Sequence, residues 1–220
     1  MEINAQRLGR RPAPDLRDQQ YQMRRLVPRT VPQKTRLYRI GPILDQGFTS
    51  SCVGQAWRQW LSSALMMTRD GPDALTIYTS AQKVDEWDGE DYEGTSVRGG
   101  VKVLQALGRV ASYVWSSDAD VIRDYELSGL GVVVIGVNWY TSMFDIDAKG
   151  YLRVSGSVEG GHAVVLGGYS VERKAHRLIN SWGKSWGEQG RAWLLHEDLR
   201  RLLNEDGEGC AATEQKVVPA

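Results

Sequence analysis

From Ser51 onward the chain places Val53, Ala56, Trp57, Trp60, Leu61, Ala64 and Leu65 at spacings of three and four, the repeat of a single helical face. A helix is therefore predicted over residues 52–68, capped by Ser50 or Ser51, with Cys52 in its first turn. Residues 75–87 and 98–107 predict two more helices, and Gly99 and Gly100 in the second point to close packing. After Tyr113-Val114-Trp115 the texture changes. Residues 132–137 form a continuous β-branched run suited to a strand buried on both faces, and 163–166 form another. Residues 177–179 and 191–195 read as further strands, with a short helix near 197–203. Residues 1–40 lack such periodicity and hold four of the seven prolines, Pro12, Pro14, Pro28 and Pro32. They predict an extended arm ahead of a folded body.

Composition sets the scale of that body. A chain of 220 residues, 41% hydrophobic and 9% aromatic, can bury one compact core or two small lobes sharing a cleft. Twenty-seven basic residues balance twenty-seven acidic ones, so no overall charge favours nucleic acid or an acidic membrane as partner. The balance is uneven along the chain: residues 1–40 hold ten bases and three acids, leaving seventeen bases and twenty-four acids beyond. No segment has the apolar length of a membrane span, and the opening Met1-Glu2-Ile3-Asn4-Ala5 lacks the apolar core of a secretory signal. A cytoplasmic or assembly-associated location is the expectation.

Two cysteines, Cys52 and Cys210, lie in settings too different to suggest a structural staple. A thiol at a helix start feels the partial positive charge of unpaired N–H groups, which favours the thiolate. Taken alone, a cysteine that begins an apolar helix is more often a small buried hydrophobe. Three histidines exist, and His162 follows Gly160-Gly161 at the mouth of an apolar strand, a rigid platform from which a ring can face a cleft. His176 and His196 lie among charged residues and are expected at the surface. The third candidate is Asn180 in Ile179-Asn180-Ser181-Trp182-Gly183. Its amide oxygen suits the Nδ1 hydrogen of an imidazole, leaving Nε2 for a nucleophile, and Trp182 is placed to shield that bond from water.

These blocks resemble the papain family of cysteine peptidases. Asn180-Ser181-Trp182-Gly183, Trp186-Gly187 and Gly190 match every fixed position of its Asn-Ser-Trp-Gly-x-x-Trp-Gly-x-x-Gly block. Asp45-Gln46-Gly47 lies ahead of Ser51-Cys52, and Gly161-His162-Ala163-Val164 is similar to the family's histidine strand. The order Cys, His, Asn agrees too. Weaker similarity in Gly94-Thr95-Ser96-Val97-Arg98 and around Arg17-Asp18 looks like the compact bacterial and viral branch, implying a bacterial or phage origin. The chain departs from the secreted pattern at Thr49 and Val53, where the family signature has a cysteine and an aromatic. The corresponding disulfide is absent, which fits a reducing compartment.

The resemblance implies an α+β, two-lobed papain-like fold over residues 41–220. A helical lobe with a central helix would occupy about 41–115 and a strand-rich, barrel-like lobe about 116–220, with the cleft between them. It implies Cys52 as nucleophile, His162 as base, Asn180 as the group orienting it and Gln46 as oxyanion-hole donor, supported by Trp182 and Gly161. Peptide-bond hydrolysis through a thioester acyl-enzyme would need no cofactor or metal, and the partner would be a protein or peptide substrate. Residues 1–40 would approach the cleft as an autoinhibitory or processed segment, or serve as a strap. Two alternatives stay open: a non-catalytic papain-fold module, and a related thiol amidase or isopeptidase. Cys210 is expected to be a bystander, and subsite specificity and oligomeric state are not legible.

Overall fold

The computed structural model describes residues 8–68 and 70–214. The helix containing the cysteine, α1 (Cys52–Leu61), is buried at every position except the half-buried Arg58, so it is apolar nearly all round and packs as a central element. It stops about two turns before the predicted end. The C-cap N–H of Ser62 closes onto Arg58 O, and Ser62 and Ser63 Oγ bond back to Gln59 O at 3.1 and 2.7 Å, competing with further helix. α2 (Ala74–Gln82) starts where Asp73 accepts from Thr76 N, and α3 (Val97–Ala106) where Ser96 accepts from Gly99 N. Both are N-caps of the expected kind.

Gly100 on α3 explains how closely the helices approach. A side chain there would meet Trp57 Cδ1 at 2.3 Å; the bare backbone lets the indole lie flat on the helix and donate from Nε1 to Val97 O at 2.9 Å.

The strands form a single sheet, mostly antiparallel. Its members are β1 (Arg36–Leu37), β2 (Val110–Ser116), β3 (Val133–Tyr140), β4 (Val158–Ser170), β5 (Ala175–Ile179), β6 (Arg191–Leu195) and β7 (Glu208–Glu214). The order is β2-β7-β3-β4-β5-β6, with β1 paired to β4. The strand-rich lobe is thus an open sheet. Two further helices, α4 (Ala119–Leu127) and α5 (His196–Asn204), complete the fold, which combines helices with an antiparallel sheet as expected.

The sheet separates two apolar clusters. On one face Cys52, Trp57, Val97, Val101 and Leu104 pack against Val134, Ala163, Val165 and Cys210. On the other, Ile122, Tyr125, Leu199 and Leu202 pack against Val133, Ile135, Val164 and Leu166. The alternation along β3 and β4 serves both, so these strands read as unbroken apolar runs. α4 and β7 lie where sequence periodicity is weak. β7 draws its order from pairing with β2 and β3, which fixes the segment that the Gly- and Glu-rich composition disguised.

His176 and His196, expected at the surface, are buried. His176 Nδ1 donates to Glu126 Oε2 at 2.6 Å, its Nε2 lies 3.0 Å from His196 Nδ1, and His196 Nε2 lies 3.1 Å from Asp120 Oδ1. The charged neighbours in sequence misled because strand alternation turns His176 inward while Arg177 faces the other way. His176 thereby satisfies the otherwise costly buried carboxylate of Glu126, and His196 links it to the half-exposed Asp120.

Replacing Trp57 with alanine is expected to destabilise the chain by about 3–5 kcal/mol, read from urea unfolding. It removes a fully buried indole and its hydrogen bond to Val97 O. A loss under about 1 kcal/mol would show that the α1–α3 contact contributes little.

Candidate active site

The register of the sheet brings His162 and Asn180 together. Val165 pairs with Ile179, so the chain leaves β5 at Asn180 just beside the stretch of β4 that carries His162. His162 Nε2–H donates to Asn180 Oδ1 at 2.8 Å, and the same oxygen accepts from Ser181 N at 2.8 Å. The roles of the two ring nitrogens are therefore the reverse of those expected from sequence: Nε2 holds the asparagine. Nδ1 is buried without a hydrogen bond among the described residues. A neutral ring with its proton on Nε2 leaves Nδ1 as an acceptor.

Aromatic rings enclose this bond. Trp182 lies 4.9 Å from the His162 ring at 31°, and Trp139 lies 4.7 Å away edge-on. Phe144 stacks on the far side of Trp182 at 5.4 Å and 11°. Trp182 was legible as a shield; Trp139 and Phe144 were not, since they come from β3 and the turn after it and join only through the fold.

Gln46 is tied to the same loop. Its Oε1 accepts from Ser181 Oγ at 2.7 Å and its Nε2 donates to Thr49 O at 2.6 Å. Gln46 N donates to Ser181 O and Gly183 N to Leu44 O, so residues 44–46 run antiparallel to 181–183. The glutamine is thus laddered to the residues that directly follow Asn180.

Cys52 departs from expectation. It opens α1 beside β4, with Ala163 N–H and Val53 N–H directed at the thiol, but it is fully buried and belongs to the apolar cluster. Burial pushes the thiol up to about 11, against smaller lowering by the Ala163, Gly9 and Val53 N–H groups and the Arg10 charge. Burial likewise lowers His162 to about 4, which the Asn180 hydrogen bond partly offsets. A thiolate favoured by the helix start was the expectation; here desolvation outweighs the helix terminus. Ser51, at the N-cap, makes no capping bond with its side chain and leaves the first N–H groups beside the sulfur.

The arm supplies the burial. Gly9 N and Arg10 N both donate to Gly161 O at 3.0 and 2.9 Å; Thr95 N donates to Gly9 O and Arg11 N to Thr95 O. Residues 8–11 therefore bridge the edge of β4 and the start of α3. Arg10 pairs with Thr95 in parallel sense. The fit relies on missing side chains: a Cβ on Gly161 would meet Arg10 O at 2.1 Å, and one on Gly9 would meet Ser50 O at 2.0 Å. Arg10 anchors the segment from Nη2 to Glu208 Oε1 at 3.0 Å and to Asp206 O at 2.6 Å. Nothing in the periodicity of residues 1–40 marked Gly9 or Arg10.

A thiol at a helix start, an imidazole hydrogen-bonded to an asparagine under tryptophan, and a glutamine on the adjoining loop are the kinds of group that thiol-dependent acyl transfer uses. The class this defines is borne out by comparison. A model of the papain family cysteine proteases matches residues 73–201, more than half of the chain, and the chain belongs to that family. The match includes His162 and Asn180 and begins after Cys52 and Gln46.

Among curated proteins, the chain is 34% identical over 62 residues to a cathepsin B-like cysteine proteinase of Schistosoma japonicum. That segment is 27% of this chain and 18% of the relative. Among solved structures, xylellain, a cysteine protease from Xylella fastidiosa, superposes with a TM-score of 0.76 at 21% identity, covering 94% of this chain and 96% of that one. Procathepsin B S9 of Trypanosoma congolense gives 0.66 at 15% identity over 97% and 88% of the two chains. Digestive procathepsin L 3 of Tenebrio molitor gives 0.69 at 13% over 96% and 77%. These likenesses establish the fold. Among the described residues no helix is long and apolar enough to cross a membrane, and no group of acidic, histidine and cysteine side chains is arranged to hold a metal.

The two displaced pKa values set a pH window. His162 is lowered from 6.5 to about 4, so its contribution to the stability of the folded chain is complete above 6.5 and is lost as pH falls through about 4. Cys52 is raised from 9.0 to about 11, so its stabilisation is complete below 9 and is lost as pH rises through about 11. Stability by urea unfolding is expected to fall below pH 6.5 with a His162-dependent slope of up to about 1.4 kcal/mol per pH unit. His162→Gln should remove that component; an acid limb unchanged by the substitution would contradict it.

Proposed function

We propose that this chain is a cysteine-type peptidase held in a closed state by its own N-terminal arm. The observation that carries the reading is the His162–Asn180 hydrogen bond under Trp182, set beside a helix-start cysteine whose thiol faces the N–H of the residue after that histidine. In this reading Cys52 is the nucleophile, His162 the base, Asn180 the positioning residue and Gln46 a donor to the oxyanion.

Arm displacement admits water to the pair and relieves the desolvation that keeps both groups neutral, so the Cys52 proton passes to His162 Nδ1. The thiolate then attacks the carbonyl carbon of a peptide bond. Negative charge developing on the carbonyl oxygen is met by the Cys52 backbone N–H and the Gln46 amide. His162 returns its proton from Nδ1 to the leaving amine, forming a thioester, and then takes a proton from water as that water attacks the thioester and frees Cys52. Asn180 keeps the ring in plane throughout. Residues 1–40 act as the autoinhibitory arm, with residues 41–220 as the peptidase domain, helical to about 115 and β-rich beyond. The substrate is a protein or peptide.

A non-catalytic papain-fold module is the rival, and one observation favours it: the thiol is fully covered and its pKa is raised. Substitution separates the readings. Gly9→Val places a side chain against Ser50 O and is expected to dislodge the arm, raising both peptide turnover and the rate at which an epoxide alkylates Cys52. On that background Cys52→Ala should abolish turnover, Gln46→Ala should lower it on the order of a hundredfold, and Asn180→Ala should lower it less than Cys52→Ala. Turnover surviving in Cys52→Ala would end the catalytic proposal, and unchanged alkylation in a folded Gly9→Val chain would end the autoinhibitory one.

A further inference from the structure

On the protein surface, behind the loops that carry Gln46 and Asn180, lies a cleft of about 590 Å³ lined by Arg39, Arg58, Lys184 and Arg191. The four cations come from four separate stretches of sequence: the segment after β1, the last turn of α1, the turn after Trp182, and the first residue of β6. Among the described residues no carboxylate lines the cleft. The remaining wall is uncharged, with Ser62 and Thr68 as hydroxyl groups and Ile40 and Ile43 as apolar floor.

Formal charge sums to zero, and eight of the fifteen other described arginines pair with acids, among them Arg10 with Glu208, Arg98 with Asp18, Arg123 with Asp120 and Arg201 with Glu205. Among the described residues Arg39, Lys184 and Arg191 form no ion pair. Arg191 Nε is buried without a hydrogen bond, although its backbone pairs with Ile179. Bringing like charges into one concavity is unfavourable unless a counter-charge enters.

We propose that this cleft binds a small, multiply charged phosphate anion. Arginine presents a planar fork of donors that matches phosphate oxygens in pairs, and lysine supplies a point charge. Three or more negative charges spread over a chain of phosphates match cations projecting from opposite walls better than one carboxylate does. The bound anion would cross-link residues 39–43 to residues 184–191. These stretches flank the ladder between residues 44–46 and 181–183, so occupancy stiffens the loops on which Gln46 and Asn180 stand.

Inorganic tripolyphosphate is the probe, titrated into the full chain during thermal unfolding at constant ionic strength, with sodium sulfate at the same ionic strength as the comparison. A saturable rise in Tm that sulfate does not reproduce is expected, following one-site linkage. Arg39→Glu with Lys184→Glu should abolish the rise while leaving the Tm without anion and the alkylation of Cys52 near wild type, since both side chains are exposed. If that double variant does not fold, Lys184→Ala alone should weaken binding several-fold. An equal rise with sulfate, no rise at all, or a rise retained in the folded variant would overturn the proposal. The readout is binding, so it stands or falls separately from peptidase activity.

Discussion

The backbone of residues 8–11, hydrogen-bonded on one side to Gly161 and on the other to Thr95, is the constraint from which the electrostatics of the site follow. It runs beside Cys52, while Trp139 and Trp182 pack on the imidazole. The raised thiol and lowered ring are consequences of burial, because a helix terminus and one asparagine hydrogen bond cannot replace lost hydration of two ions. The same two groups in an open groove would face a different balance: Ala163 N–H, Val53 N–H and the start of α1 all favour negative charge on sulfur. The chemistry of the pair is therefore set less by which residues are present than by what covers them.

Much of this was legible in the sequence where chemistry and local pattern coincide. The stripe from Val53 to Leu61 announced α1, the apolar runs announced β3 and β4, and the block from Asn180 to Gly190 carried enough fixed positions to identify the family. Pattern failed where order is non-local. β7 exists because β2 and β3 flank it, and its sequence of Gly, Cys, Ala and Thr has no periodicity of its own. The ring nitrogen facing Asn180 was misassigned from general precedent, since spacing alone does not fix ring orientation. His176 and His196 were read from their sequence neighbours, whereas strand and helix geometry turn them toward Glu126 and Asp120.

That histidine pair shows how the fold resolves an awkward requirement at the other end of β4. Gly168, with φ of +115°, bends the strand where Arg36 O would meet a side chain at 2.2 Å, and its N–H is taken by Glu126 Oε1 at 2.8 Å. A carboxylate recruited to satisfy a distorted strand needs its own partners in an interior of low polarity. His176 supplies one, and His196 passes the connection outward to the half-exposed Asp120. The two histidines that do not serve the proposed reaction thus stabilise the strand that carries the one that does.

The arm's grip divides into a part that any peptide can reproduce and a part that none without its side chains can. Hydrogen bonds from Gly9, Arg10 and Arg11 to Gly161 and Thr95 use only backbone atoms, and an extended substrate offers the same groups. Each is worth about 1 kcal/mol net, too little to hold a segment against a competing chain. The distinguishing contacts lie to either side of the sulfur: Leu8 packs into the cluster beneath β4 and against Gly160, and Arg10 reaches Glu208 with its side chain 1% exposed. Removing one partner of such a buried pair costs about 3–5 kcal/mol, because the other is left charged and unsolvated. Glu208, whose pKa burial raises against the opposing effect of Arg10, relaxes that penalty by taking up a proton once the guanidinium leaves. The side-chain anchor of residues 8–11 is therefore a charge on β7, outside the proposed reaction centre.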